Sequence, residues 1–367
     1  MTDNQFLIVD AHEDLAYNTL NFGRDYCRSA AETRRLEEES DSPALQHAGQ
    51  ALLGWPDYQR GRVAVIFGTL FVTPAHRKLG DWDKQVYENF NQAHRLYHGQ
   101  LDVYHELADR HPDQFRLIGS RRDLEAVLTH WADTEAESHP VGILPLMEGA
   151  EGVRSPSELD QWWDDGLRVI GLAWAGTRYC GGTHEPGPLT EDGRRLLEAM
   201  AKVGFGLDIS HMDQLSALQA LDLYAGPVIA SHANAAALVP GYGSNRLLSD
   251  DVIRATLARD GIIGVVPYCR FLKAGWKIGD SRQDLTLETV AAHVDHICQM
   301  AGDARHAALG SDFDGGYGME CAPAGVETIA DLQKLAPILS VRGFTDSDVA
   351  AILGGNWLRH LQEHLPA

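Results

Sequence analysis

The sequence predicts an α/β fold, a TIM-type (β/α)8 barrel, and three observations carry that expectation. Eight short apolar runs recur with little polar alternation, at 6–10, 63–71, 141–147, 169–173, 205–208, 227–230, 262–266 and 307–310. Parallel strands buried on both faces read this way, whereas half-exposed strands alternate. Segments of helical period separate them, at 84–110, 157–165, 190–202, 213–223, 250–259 and 287–300. The 367 residues exceed the roughly 250 of a bare barrel, which leaves length for insertions within one domain, 1–367. The competing architecture, an open doubly wound sheet, needs a glycine-rich phosphate loop after an early strand, and the sequence contains none.

Taken in order, the first strand leads into a polar stretch at 18–60 that contains Arg34-Arg35-Leu36-Glu37-Glu38-Glu39. It is expected as a helical insertion with a solvated charged face. Later helices carry their own start signals. Ser249 before Asp250 and Asp251 supplies an oxygen acceptor and negative charge at a helix N-terminus, and Thr345 with Asp348 does the same in the tail. That tail, 326–367, is predicted to add helices beyond the barrel.

Hydrophobic residues make up 44% and charged residues 23%, so a large core is expected and global disorder is excluded. Lys and Arg total 31 against 52 Asp and Glu, a net charge of −21. Such a surface repels phosphate backbones and anionic lipid, which excludes nucleic acid and membranes as partners. Residues 1–10 show neither the basic nor the apolar stretch of a secretory signal, and no run approaches the roughly 20 apolar residues of a membrane span. Cys27, Cys180, Cys269, Cys298 and Cys321 are scattered and form no C-x-x-C pair. The expectation is a cytoplasmic protein with a small-molecule substrate, and Cys180 and Cys269, near loops of the predicted active face, are read as inert thiols.

Metal-binding residue types cluster at strand ends. The first strand runs into Asp10-Ala11-His12-Glu13-Asp14, the third ends Met147-Glu148-Gly149, and the fifth ends Asp208-Ile209-Ser210-His211. The sixth ends Ser231-His232 and the eighth Ser311-Asp312-Phe313-Asp314. Singly, each has a plainer role: His232 as a core histidine, His12 and Asp14 as helix caps, Asp312 and Asp314 as turn formers. Jointly, three histidines and three carboxylates at exits that converge on one face of a barrel point to a metal centre. In extended chain His12 and Asp14 share a side, with Glu13 turned away. His12 and Asp14 then suit one ion, His211 and His232 a second, and Glu148 bridges them. A metal-bridging hydroxide would attack an amide or ester, with Asp312 shuttling the proton to the leaving group.

These residues, in this order, resemble the renal (membrane) dipeptidase family, dinuclear zinc peptidases of the amidohydrolase superfamily. The likeness runs from Val9-Asp10-Ala11-His12-Glu13-Asp14-Leu15 to Gly354-Gly355-Asn356-Trp357 and includes Met147-Glu148-Gly149-Ala150 and Ser231-His232-Ala233-Asn234. It implies two Zn2+ per chain on His12, Asp14, Glu148, His211 and His232, although such donors accept other divalent ions. It implies Asp312 as acid/base and Arg246 as the grip on a dipeptide's terminal carboxylate, with the second residue L or D. Tyr268 matches a pocket tyrosine. One departure stands out: where the family's dipeptidases place a histidine that polarises the scissile carbonyl, this sequence has Trp174. Indole offers one N–H and no charge, and His184 on the same loop is a candidate replacement. A metal-holding relative without dipeptidase activity, or one acting on another small carboxylate-bearing amide or ester, is therefore the alternative. A mononuclear deaminase fits less well, because Glu148 would have no second ion to bridge. H-E-x-x-H, G-x-S-x-G and P-loop patterns are absent. Trp162, Trp163 and Trp174 are read as core or pocket packing rather than a stacking platform. Barrels of this kind are often dimers, and 18–60 is a candidate contact for a homodimer.

Overall fold

A computed structural model describes residues 6–133 and 135–367; residues 1–5, part of the stretch read for a leader, lie outside the described residues. Eight parallel strands close into a barrel. They are β1 (Ile8–Glu13), β2 (Val63–Phe71), β3 (Val141–Glu148), β4 (Val169–Gly171), β5 (Gly206–Asp208), β6 (Val228–Ala230), β7 (Ile262–Val265) and β8 (Ala307–Leu309). Each pairs with the next in sequence, and Asp10 of β1 stands opposite both Ile66 of β2 and Leu309 of β8, which closes the ring. Nearly every strand residue is buried, as expected for strands covered on both faces. The register sets Glu148 and Asp208 both opposite Gly171, so these two carboxylates leave the sheet at one level.

The predicted barrel is therefore the observed one, with differences of extent that have physical reasons. The first strand runs on past Asp10 to Glu13 because its polar side chains find buried partners. Asp10 accepts from the Ser311 N–H and hydroxyl, and Glu13 accepts from the Tyr58 hydroxyl. A hydropathy reading stops at the first charge. The helix expected over 84–110 begins only at Phe90, since Val86–Tyr87 pairs with Thr73–Pro74 and Asn89 caps the helix by accepting from the Gln92 N–H at 3.1 Å. A short strand, Phe115–Leu117, adds to the start of β3, and a hairpin of Cys180–Gly182 and Glu185–Leu189 stands in the loop after β4.

Between β1 and β2 lie the helices Leu15–Phe22, Ala30–Glu39, Pro43–His47 and Trp55–Gly61. Arg35 and Glu39 form an exposed pair, but Glu37 turns inward to the buried Arg24 (2.9 Å), which also reaches Asp314 at 3.1 Å. The charged run thus has one buried, paired member. At the opposite end of the barrel the C-terminal helix Asn356–His364 closes the strand N-termini. Trp357 Nε1 donates to the Leu309 carbonyl at 2.8 Å, and Asn356 Nδ2 donates to the Ala304 and Ala307 carbonyls. The predicted caps at Ser249 and Thr345 both form, the latter as a reciprocal capping box with Asp348. Among the described residues no helix is long and apolar enough to cross a membrane.

Candidate active site

Parallel strands release their chains at one face, and five of the eight exits deliver a group to a common point. His12 lies on β1 and Asp14 just beyond it; Glu148 ends β3; His211, His232 and Asp312 follow β5, β6 and β8. Asp14 occupies the N-cap position of helix Leu15–Phe22 yet makes no side-chain cap bond, so its carboxylate is left for the site. His211, Asp312 and Asp314 adopt left-handed backbone with φ of 64°, 58° and 60°. Such conformations are costly for a residue with a side chain; His211 and Asp312 reach the common point, while Asp314 turns to Arg24, Tyr26 and the Leu52 N–H.

Glu148 Oε1 is the centre of the arrangement. It stands 3.0 Å from His211 Nε2, 3.4 Å from His232 Nε2 and 3.9 Å from His12 Nε2. His12 Nε2 is also 3.7 Å from Asp14 Oδ2 and 3.9 Å from Asp312 Oδ1, while His211 and His232 bring their Nε2 atoms to 3.0 Å. Glu13 points away to Tyr58. Two sets result, His12–Asp14–Asp312 and Glu148–His211–His232, and a third, His12 and His232 with Asp208, shares one residue with each.

The surroundings hold these groups in a form suited to cations. Burial, assisted by the Arg246 charge, keeps His12, His211 and His232 well below the usual imidazole range, so their lone pairs are free. Burial pushes the Asp14, Glu148 and Asp312 carboxyls well above their ordinary range, and each is raised further by a neighbour: Asp14 by Glu148, Glu148 by Asp312, Asp312 by Asp14. His12 Nε2, Asp14 Oδ1 and Glu148 Oε1 are buried without a hydrogen-bond partner. Neutral imidazoles, crowded carboxylates and orphaned donor atoms converging on one point fit divalent cations with N/O preference.

Several supporting residues carry no signal that sequence reasoning assigned. Asp208 accepts from the Ser210 and Ser231 N–H groups and the Ser231 hydroxyl, and Ser231 Oγ lies 2.8 Å from His232 Nδ1. Thr183 Oγ1 lies 2.9 Å from His211 Nδ1. Asp208 and Ser231 sit inside the stretches singled out in the sequence, but their second-layer role depends on which strands are neighbours. Thr183 comes from the hairpin, which no periodicity marks.

A cavity of about 190 Å³ opens over Asp14, Glu148, His211 and Asp312 and is walled by Tyr17, Phe71, Trp82, Trp174, Tyr268 and Phe271 among others. Trp174 is thus a wall residue, its ring 5.0 Å from Phe71 and 6.3 Å from His211. Tyr268 stacks on Tyr317 at 4.1 Å. Arg246 lies deeper: it is 3% exposed, donates from Nη2 to the His232 carbonyl at 2.9 Å, and keeps Nε and Nη1 unpartnered. His184 is not brought to the cavity. It sits exposed at the hairpin tip, where its N–H donates to Asn245 Oδ1 and its Nδ1 meets Ser244. Trp162 is fully buried against His98, and Trp163 packs on Phe205. Cys180 and Cys269 are buried, their thiols pushed up to about 12 by burial, so neither is a nucleophile.

The profile of the family described as Membrane dipeptidase (Peptidase family M19) matches residues 3–365. An uncharacterized dipeptidase of Schizosaccharomyces pombe is 32% identical over 374 residues, covering 96% of this chain and 80% of the relative. Dipeptidase aclJ of Aspergillus oryzae is 25% identical, covering 96% and 77%. Among solved structures, the metallo peptidase dipeptidase AC superposes with a TM-score of 0.77 at 22% identity, over 99% of this chain and 100% of that one. A metallo peptidase of Rhodobacter sphaeroides, liganded with a phosphinate mimic of L-Ala-D-Ala, superposes equally well at 20% identity, over 99% and 100%. With the profile spanning nearly the whole sequence and the Schizosaccharomyces pombe relative matching along it, the chain belongs to the membrane dipeptidase family, a family of metallo-dipeptidases.

Proposed function

We propose that the chain is a zinc-dependent dipeptidase that holds two ions per chain and cleaves the peptide bond of small dipeptides. The observation that carries this is Glu148 Oε1 within 3.0–3.9 Å of three neutral, buried imidazoles. His12 and Asp14 would hold one ion, His211 and His232 the other, with Glu148 between them. Bound there, a pair of divalent ions supplies Lewis-acid polarisation of the carbonyl and makes water acidic enough to attack near neutral pH.

The remaining work falls to side chains. Asp312 faces His12 across 3.9 Å and takes the proton of the attacking water, then returns it to the leaving amine nitrogen. The unpartnered Nε and Nη1 of Arg246 support a grip on the substrate's terminal carboxylate. Tyr268 and Trp174 line the binding cavity.

Assays of zinc-loaded protein with L-L and L-D dipeptides test the assignment. Chelation is expected to abolish turnover and zinc to restore it. Asp312→Asn is expected to lower kcat about 10²–10⁴-fold; wild-type turnover by that variant would remove its proton-transfer role. Trp174 favours a second reading, because the indole on the wall near His211 offers one N–H but no charge and no acceptor. Silence across the dipeptide panel, with two metals per chain measured, would point to another small carboxylate-bearing amide or ester, or to a protein without turnover.

A further inference from the structure

The cavity has two chemically distinct sides. Its floor is acidic and imidazole-bearing, but one wall is built from Tyr17, Phe22, Phe71, Leu79, Trp82 and Trp174, none of them charged. That wall is assembled in advance. Trp82 is held between Phe22 (5.2 Å) and His47 (4.7 Å, planes 12° apart), and Phe71 joins Tyr17 to Trp174 at 5.4 and 5.0 Å. Leu79, at the rim, is 67% exposed, which packing within the chain does not explain.

The ring order says which end of a substrate meets this wall. Arg246 lies 5.0 Å from the Phe271 ring, and Phe271 and Tyr268 follow β7. In a ring of eight, β7 stands opposite β3. Phe71 ends β2 and Trp174 follows β4, so this pair flanks β3, across the mouth from the guanidinium. A substrate whose carboxylate turns to Arg246 therefore presents its amino-terminal residue to the aromatic wall.

We propose that this wall selects dipeptides whose amino-terminal residue carries a large apolar or aromatic side chain, with Trp82 as the principal specificity-determining residue. The inference rests on the dipeptidase reading for the substrate's orientation. An acidic side chain there would give up its hydration against the Phe71 and Trp174 rings, which offer no charge in its place, and is disfavoured. Moving a benzyl group rather than a methyl group out of water is worth about 10–100-fold in affinity.

Binding separates this claim from turnover. Zinc-loaded protein is titrated calorimetrically with phosphinate mimics of Phe-Ala and Ala-Ala, alongside hydrolysis of the two dipeptides. The Phe-Ala mimic is expected to bind at least about tenfold tighter. Trp82→Ala should bring the ratio to within about threefold and Trp82→Phe should keep most of it; Leu79→Ser, at an exposed position that folding does not need, should lower it partway. Equal binding of the two mimics, binding of neither, or a ratio untouched by both Trp82→Ala and Leu79→Ser overturns the pocket. Selective binding without hydrolysis keeps the pocket and sinks the dipeptidase; hydrolysis of both dipeptides with equal binding does the reverse.

Discussion

Ser231 meets the tightest packing in the site. A Cβ at Gly310 would lie 1.8 Å from the Ser231 carbonyl oxygen, and one at Gly264 would lie 2.0 Å from it. Both contacts are to backbone, so neither neighbour can rotate out of the way. Gly310→Ala is expected to destabilise the fold by at least about 2 kcal/mol, as overpacking of a rigid interior does. An unchanged urea midpoint would show that β6 and β8 can separate. The Ser231 side chain has a different task, since its hydroxyl links Asp208 to His232 Nδ1. Orienting partners of this kind tune metal affinity more than stability. Ser231→Ala is expected to weaken zinc binding about 10–100-fold in a chelator competition, with the thermal midpoint of the metal-free protein little changed.

At the scale of elements, the insertion is tied to the site by charge. Arg24 lies between Glu37 of helix Ala30–Glu39 and Asp314, two residues beyond Asp312, and its Nη2 also donates to the Gly49 carbonyl at 2.5 Å. Arg24→Met would leave two buried carboxylates without their cation, at a cost of about 3–5 kcal/mol, read as a lower denaturation midpoint. Local pattern could not foretell this tie. Glu37 belongs to a run that looks solvated throughout, and only tertiary contact with Arg24 distinguishes it from Glu38 and Glu39. Helix starts were more legible, because an N-cap such as Ser249 or Thr345 satisfies N–H groups two or three residues away. Helix Leu287–Ala301 adds a pH dependence. His293 is buried on it and accepts the Ala235 N–H at Nδ1 (3.2 Å), and burial, with His296 nearby, lowers its pKa to about 4. The folded form binds the proton less readily than the unfolded chain, whose histidines titrate near 6.5. The stabilisation is therefore present above pH 6.5 and is lost as pH falls toward 4, by up to about 3 kcal/mol. Unfolding free energies between pH 7 and 4 should fall less steeply in His293→Gln, and parallel curves would exclude the effect.

At the scale of the whole molecule, the barrel itself explains what the sequence could reveal. Strands buried on both faces leave apolar runs, and a barrel sends every strand's end to one rim, so His12 and Asp312 meet although they lie near opposite ends of the chain. Chemistry-bearing residues at those ends were therefore readable from type and place. Groups whose role depends on depth were not. Asp208 sits behind His232, joined to it through Ser231, and Thr183 reaches His211 from the hairpin; only the packed strands reveal either position. The same convergence makes the rim a point of repulsion, since the like-charged carboxyls of Asp14, Glu148 and Asp312 crowd together there. A cation that binds these exits only when they are assembled must stabilise the fold by mass action. At free zinc 100 times its dissociation constant the gain is about 2.7 kcal/mol per site, which for a chain of this size raises the thermal midpoint by roughly 3–4 °C per site. The rise should grow with zinc concentration and shrink in Glu148→Gln, which keeps the shape of the side chain but removes its charge from beside His211 and His232. A midpoint indifferent to zinc and chelator alike would mean that the exits are held by protein contacts alone.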